Sequence, residues 1–157
     1  MLVPAEAKIR QDAEGTDQYL RLVIGGAGFL LPSSASLAIE PMDQLTADAD
    51  HPHIVAWRVV RPDRWPVFHL EADLQSRATG SWSKAVFIDA KPFPVGFAVA
   101  DLLLLPREFR VEPFNPPGAA PTPLGPIFSG ASVQEEGILF LLEPLAFAAY
   151  LKQLGGL

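Results

Sequence analysis

The sequence contains no cysteine among its 157 residues. This absence excludes disulfide bonds and thiolate metal sites, and it fits a reducing compartment. Long hydrophobic runs are also missing, because Asp101 interrupts the apolar stretch 93–106 and Glu143 interrupts the stretch 138–151. A bilayer-spanning helix needs roughly 18 or more uninterrupted apolar residues. We therefore expect a protein that is not integral to a membrane.

Positive charge is in short supply as well. The chain has 12 Lys and Arg residues against 18 Asp and Glu residues, which gives a net charge of −6. Nucleic-acid binding draws on clustered Lys and Arg, whereas the basic residues here are scattered. The first ten residues also lack the basic and apolar regions of a secretion signal. These features predict a cytoplasmic protein whose partner is another protein or a small molecule.

Apolar residues are plentiful, at 49% of the chain, which is enough to bury the core of one domain or of two small subdomains that share a core. Residues 1–16 are polar and acidic without periodicity, so we expect a loose N-terminal segment. The folded domain is expected to span residues 17–157.

Short runs of β-branched, aromatic and aliphatic residues recur between turns that contain glycine or proline. They predict strands at 19–24, 29–31, 37–40, 84–89, 95–105, 127–133 and 137–142, and a hairpin within 54–70. Pro144 precedes a run of alanine, leucine and aromatic residues that predicts one C-terminal helix. Seven prolines in 106–126 predict an extended loop. The pattern is typical of β-barrels or a β-sandwich.

The hairpin within 54–70 is the most informative segment. Its predicted turn is Arg61-Pro62-Asp63-Arg64, because proline fixes φ and aspartate can bond its own downstream backbone. Trp57 and Trp65 lie on opposite arms, where they either stack on one face as core or flank a partner groove. Arg61 either contacts a protein partner or pairs with Asp63 across the turn.

No catalytic constellation is evident in the sequence. His51 and His53 are two residues apart and could share a metal ion with Asp50, but a third fixed ligand is not apparent and the stretch resembles an ordinary solvated loop. We therefore expect no metal and no cofactor. The metal-dependent protein that Asp50, His51 and His53 would form remains the less favoured alternative.

Five segments of this chain resemble the CheW-like domain, the adaptor module of bacterial chemosensory arrays. They are the opening hairpin 19–32, the short strand 37–40, the hairpin 59–70, the Val-Gly-Phe-Ala-Val run 95–99, and the closing stretch 130–143. The turn departs from the family pattern, since Val59 replaces an asparagine and Pro62 replaces a glycine. Proline cannot adopt the positive φ open to glycine, so this turn must have a different shape.

The resemblance implies a mainly β fold of two five-stranded SH3-like barrels that share a hydrophobic seam, with a C-terminal α-helix and no enzymatic activity. It also implies an adaptor that binds the regulatory domain of a CheA-like histidine kinase, the tip of a chemoreceptor, or both. The partner-binding residues that it implies are Arg61, Gly96, Gly130, Ile39 and Glu40. A structural or pilus-associated interaction protein remains the alternative.

Overall fold

The computed structural model describes residues 18–77, 80–114, 121–122 and 124–157. The predicted loose segment 1–16 lies outside these residues. The strands are β1 (Tyr19–Ile24), β2 (Ala27–Pro32), β3 (Ser36–Pro41), β4 (Thr46–Ala47), β5 (Ile54–Val60), β6 (Asp63–Phe68), β7 (Lys84–Ile88), β8 (Val95–Val99), β9 (Asp101–Leu104), β10 (Glu112–Pro113), β11 (Pro121–Thr122), β12 (Gly125–Pro126), β13 (Phe128–Gln134) and β14 (Gly137–Leu142). One α-helix, α1 (Pro144–Gly155), follows β14.

The strands form two large sheets and one two-stranded ribbon of β11 and β12. The first sheet has the order β10, β13, β14, β2, β1, β9, and the second has the order β3, β7, β8, β6, β5, β4. Neighbours are antiparallel except β14 with β2 and β6 with β8, which are parallel. Each sheet therefore has five longer strands and one two-residue strand, which confirms the prediction of two five-stranded SH3-like barrels.

The shared core contains buried side chains from both sheets and from α1. The first sheet contributes Leu22 and Leu31, the second contributes Phe68 and Phe97, and the helix contributes Phe147. A smaller cluster on the other face of the second sheet contains Val67, Ala85, Phe87 and Ala98. The continuous cluster between the sheets is the hydrophobic seam that the sequence resemblance implied.

Helix α1 begins and ends as its sequence predicts. The Glu143 side chain accepts a hydrogen bond from the Ala146 N–H at 2.8 Å, and Pro144 occupies the first turn, where its missing N–H costs no bond. Gly156 closes the helix in the left-handed conformation, with φ 69°. None of the helices in the described ranges is long and apolar enough to cross a membrane.

The segment 95–105, predicted as a single strand, is divided between the two sheets. β8 ends at Val99 in the second sheet, Ala100 forms a bend, and β9 continues in the first sheet. The Ala100 N–H donates to the Val23 carbonyl at 2.9 Å, and Asp101 pairs with Val23 in the β1–β9 ladder. The strand crosses because its second half finds its hydrogen-bond partners on β1.

Two connections contain short elements that the sequence did not predict. A 3-10 turn at Met42–Gln44 and the two-residue strand β4 lie between β3 and β5. The described part of the proline-rich stretch 106–126 contains β10, β11 and β12, where only an extended loop was expected. Residues 115–120 and 123 of that stretch lie outside the described ranges.

Candidate interaction surfaces

The central hairpin turns at Arg61 and Pro62, which are joined by a cis peptide bond. The turn is tighter than predicted, because Asp63 and Arg64 already pair with Val60 and Val59 in the β5–β6 ladder. Arg61 is exposed, and it forms no ion pair with Asp63 or with any other described residue. The alternative that Arg61 pairs with Asp63 across the turn is therefore not what the structure shows.

Trp57 and Trp65 lie on opposite faces of this hairpin, so the first of the two alternatives, stacking on one face, does not hold. Trp57 pairs with Pro66, whereas Trp65 pairs with Arg58 one position further along β5. Successive residues of a strand point to opposite faces, which separates the two indoles. Trp57 packs against the shared core and Trp65 against the smaller cluster, so both contribute to packing.

Each of these indoles carries an arginine. The Arg58 guanidinium lies 4.9 Å from the centre of the Trp65 ring, and the Arg64 guanidinium lies 3.9 Å from the centre of the Trp57 ring. Both distances are within the range of a cation–π contact. The hairpin therefore orders two of its arginines on aromatic rings and leaves Arg61 exposed at its tip.

Glu40 is held by an ion pair with Arg58, whose Nη2 lies 3.1 Å from Glu40 Oε1. β3 and β5 are separated by three strands in the order of the second sheet. The ion pair between them therefore shows that this sheet is curled. Ile39 lies next to Glu40 on the opposite face, with 38% of its surface exposed. Both residues were predicted to contact a partner; Ile39 offers an exposed side chain, while Glu40 is engaged within the barrel.

Arg58, the partner of Glu40 in this ion pair, was not among the residues predicted from the sequence. The sequence indicates only the face on which Arg58 lies. Arg58 is two residues after Ala56 on β5, so both lie on the face of the smaller cluster. The identity of its partner depends on the curling of the sheet, which no local pattern specifies.

Gly96 and Gly130 are buried in different sheets. A Cβ atom at Gly96 would lie 2.6 Å from the Phe87 ring, and one at Gly130 would lie 2.9 Å from the Glu112 carbonyl oxygen and 2.8 Å from Val111. Both glycines thus allow a close approach of neighbouring groups. Both are buried, so the structure shows them as close-packed positions, and their part in partner binding stays a prediction.

The loop before β5 is organised by hydrogen bonds of its own. Asp48 Oδ1 accepts from the N–H groups of Asp50 at 2.9 Å and His51 at 3.0 Å. His51 Nδ1 accepts from the N–H groups of His53 and Ile54, both at 3.0 Å. His53 Nδ1 is hydrogen-bonded to Ser76 Oγ. The described residues contain no group of three side chains that could hold a metal, which leaves the Asp50, His51 and His53 alternative without structural support.

Asp48 also accepts a hydrogen bond from the Trp57 indole N–H, at 2.7 Å from Oδ2. This bond and the two backbone N–H donors lower the pKa of Asp48 from its ordinary value of 3.8 to about 2. The folded state therefore favours the ionised carboxylate, which fixes the edge of the Trp57 ring.

The lowered pKa of Asp48 predicts a specific loss of stability in acid. A carboxylate whose pKa is depressed on folding stabilises the protein fully above its unfolded-state pKa and loses that contribution as the pH falls through the folded value. The window therefore runs from 3.8 down to about 2. We expect Asp48→Asn to lower the melting temperature at neutral pH and to make its fall below about pH 4 shallower. The melting temperatures of both proteins are measured from neutral pH to pH 2. A difference between them that stays constant over this range would refute this interpretation.

An apolar groove opens beside the first sheet, and we call it the aromatic groove. It has a volume of about 460 Å³ and is bounded by Phe29, Phe128, Ile138, Phe140, Tyr150 and the loop 72–75. Phe128 stacks on Phe29 at 6.3 Å between ring centres and contacts Phe140 at 5.1 Å. The aromatic side chains of the core thus continue outward to the surface.

The loop wall of the aromatic groove is fixed in an unusual backbone conformation. Leu74 has φ 65° although it is not glycine, and its side chain is buried. The Tyr150 hydroxyl donates to the Leu74 carbonyl at 2.7 Å. Burial, with the nearby charge of Asp73, raises the pKa of Tyr150, so the hydroxyl keeps its proton at neutral pH. The groove wall is therefore held in place by the helix.

A second groove of about 400 Å³ continues from the first across Ile138. Its apolar walls include Phe114 and Val133, which are 42% and 80% exposed, while Ile138 is 52% exposed. Val133 pairs directly with Ile138 at the end of the β13–β14 hairpin. A contiguous exposed apolar surface of this kind is typical of protein-interaction sites. This surface could not be predicted from the sequence, because the strand pattern does not specify which apolar residues remain uncovered.

No protein-family model and no curated protein matches this sequence. The fold, however, is similar to that of the scaffolding protein TtCheW from Thermoanaerobacter tengcongensis, with a TM-score of 0.57. The similarity covers 83% of this chain and 86% of that chain at 13% sequence identity. The chain therefore has a CheW-like fold, as the sequence resemblance predicted.

Proposed function

We propose that this protein with a CheW-like fold is a non-catalytic adaptor in a chemosensory signalling assembly. In this proposal it binds the regulatory domain of a CheA-like histidine kinase, the helical tip of a chemoreceptor, or both. The observation that carries the proposal is the similarity in fold to a protein described as a scaffolding protein. Because a fold alone does not determine function, the proposal also needs surfaces suited to these partners.

Two surfaces are suited to such partners. The exposed Arg61 has no partner among the described residues, and a planar guanidinium can bond a carboxylate through two parallel hydrogen bonds. The aromatic groove could receive the apolar face of a helix, which is a common mode of peptide recognition. We assign the arginine tip to the kinase domain and the groove to the receptor tip.

The alternative of a structural or pilus-associated protein predicts a different binding partner. Such a protein could use the same apolar groove, but it would bind neither the kinase regulatory domain nor a receptor tip. Binding measurements with those two purified partners therefore separate the alternatives.

We expect Arg61→Ala to weaken binding to the kinase regulatory domain by about 2 kcal/mol, the size typical of an interface hot spot. Stability should change little, because Arg61 is exposed and forms no ion pair among the described residues. Calorimetric titration and thermal unfolding on the same preparation measure the two effects.

The matched control is Arg77→Ala, which also removes one exposed arginine. Arg77 lies 3.9 Å from the Glu71 carboxylate, and such an exposed pair contributes only about 0–1 kcal/mol. Equal affinity of the Arg61 and Arg77 variants for a kinase domain that binds the wild-type protein would exclude Arg61 as a contact.

A further inference from the structure

Arg64 lies over the ring of Trp57, and hydrogen bonding and strand pairing fix the position of Trp57. The Arg64 guanidinium lies 3.9 Å from the centre of the Trp57 ring, and the Trp57 N–H donates to Asp48 Oδ2 at 2.7 Å. Trp57 also pairs with Thr46 on one side and with Pro66 on the other. A freely exposed arginine side chain loses conformational entropy when it binds a partner, whereas the side chain of Arg64 is already ordered.

The hydrogen-bond donors of Arg64 have no acceptor among the described residues. Asp48, the carboxylate on the same indole, accepts from three donors, the Trp57 indole and the backbone N–H groups of Asp50 and His51. These three bonds are the main causes of its lowered pKa, about 2. The stacking orders the guanidinium without neutralising it, and its edge remains able to bond an oxygen anion.

The charge of the hairpin contrasts with that of the chain. The segment 58–64 contains three arginines and one aspartate, in a protein of net charge −6. Arg58 is neutralised by Glu40, which leaves Arg61 and Arg64 as the two uncompensated cations. Val59 lies directly opposite Arg64 on β5 and is 53% exposed. Two cations beside an apolar side chain complement a partner segment that carries carboxylates beside an apolar residue.

We propose that Arg64, positioned by Trp57 and Asp48, acts with Arg61 as a second docking cation for an acidic protein segment. This inference rests on the proposed adaptor function and identifies the chemistry of its partner. Trp57 and Asp48 are positioning residues in this arrangement, because they contact Arg64 or its ring and not the partner.

The test compares Arg64→Gln, Arg64→Lys and the control Arg77→Gln for binding to the kinase regulatory domain. We expect Arg64→Gln to weaken binding about thirtyfold, as expected for a hot spot, and Arg64→Lys to restore only part of the loss, since lysine lacks the planar fork. Wild-type binding should weaken as salt is raised, and this dependence should be shallower for Arg64→Gln. Equal affinities of Arg64→Gln and Arg77→Gln would overturn the inference and leave the adaptor function intact.

A readout specific to positioning is provided by Trp57→Phe, which keeps an aromatic face but removes the indole N–H bond to Asp48. We expect the affinity of this variant to lie between those of the wild type and Arg64→Gln. Its thermal stability should fall less than it would if the core were disrupted. Unchanged affinity would remove Asp48 and Trp57 from the arrangement.

If the wild-type protein binds neither the kinase domain nor a receptor tip, the adaptor function is wrong, and a second probe decides on Arg64. That probe is a hexaglutamate peptide, followed by the NMR signals of the arginine Nε–H groups and of the Trp57 indole. We expect the Arg61, Arg64 and Trp57 signals to shift more than that of Arg77, and a hexalysine peptide to shift none of them. Equal shifts for Arg64 and Arg77 would overturn the inference on its own.

Discussion

Replacing Phe147 with alanine is expected to lower the free energy of unfolding by about 3–5 kcal/mol, the usual cost of removing a buried aromatic ring. Phe147 is fully buried, and its ring lies 5.1 Å from that of Phe97 on β8 in an edge-to-face arrangement. The helix that carries it contacts β7 and β8. The ring therefore joins α1 to the second sheet, and its loss leaves a cavity in the shared core.

Chemical denaturation of the wild type and the variant measures this loss. The control is Leu145→Ala in the same helix, because Leu145 is 51% exposed and its truncation creates no cavity. Helix propensity barely distinguishes leucine from alanine, so the difference between the two variants reports burial. A loss below about 1 kcal/mol for Phe147→Ala would mean that α1 does not stabilise the barrels.

Much of the fold could be predicted from local patterns. Alternating apolar residues and turn residues located β1, β2, β7 and the β13–β14 hairpin, because register and turn type depend on neighbours in the sequence. The capping residues Glu143 and Gly156 bounded α1 for the same reason. Features that depend on distant parts of the chain were less accessible, and the division of 95–105 between two sheets is the clearest case.

The binding surfaces depend on such distant contacts even more. The position of Arg61 at a hairpin tip could be predicted, but the engagement of Glu40 by Arg58 could not, since it requires the second sheet to curl until β3 approaches β5. Arg64 lies over Trp57 because the register of β5 and β6 makes the two residues diagonal neighbours on one face of the hairpin. The sequence thus indicated the hairpin, and the structure distinguishes Arg58 and Arg64, which lie over indole rings, from Arg61, which does not.

The hairpin tip and the aromatic groove differ in how far their residues also contribute to the core. The arginine tip projects from one hairpin, so partner contacts there can change by substitution without loss of the core. The aromatic groove includes Phe128 and Tyr150, which pack against the shared core, and substitutions there affect folding as well. We therefore expect partner specificity to reside mainly at the hairpin tip.

Gly96→Val is expected to lower the free energy of unfolding by about 3 kcal/mol, at the upper end of the usual cost of overpacking. A Cβ atom at this position would lie 2.6 Å from the Phe87 ring, which is itself fully buried and in contact with Trp65 at 5.7 Å between ring centres. The ring cannot move aside without disturbing the smaller cluster. Gly96→Ala should show a smaller effect of the same sign.

A double-mutant cycle with Phe87→Leu distinguishes packing from partner contact at Gly96. Leucine is smaller than the phenylalanine ring, so the two changes together should destabilise the protein by about 1 kcal/mol less than the sum of their separate effects. Such coupling would locate the cost of Gly96→Val in the contact with Phe87. If Gly96→Val instead left stability unchanged and abolished binding to the kinase domain, Gly96 would contact the partner directly. Because Gly96 is buried between β7 and β6, with Phe87 and Val67 as its neighbours, we expect the stability effect to dominate.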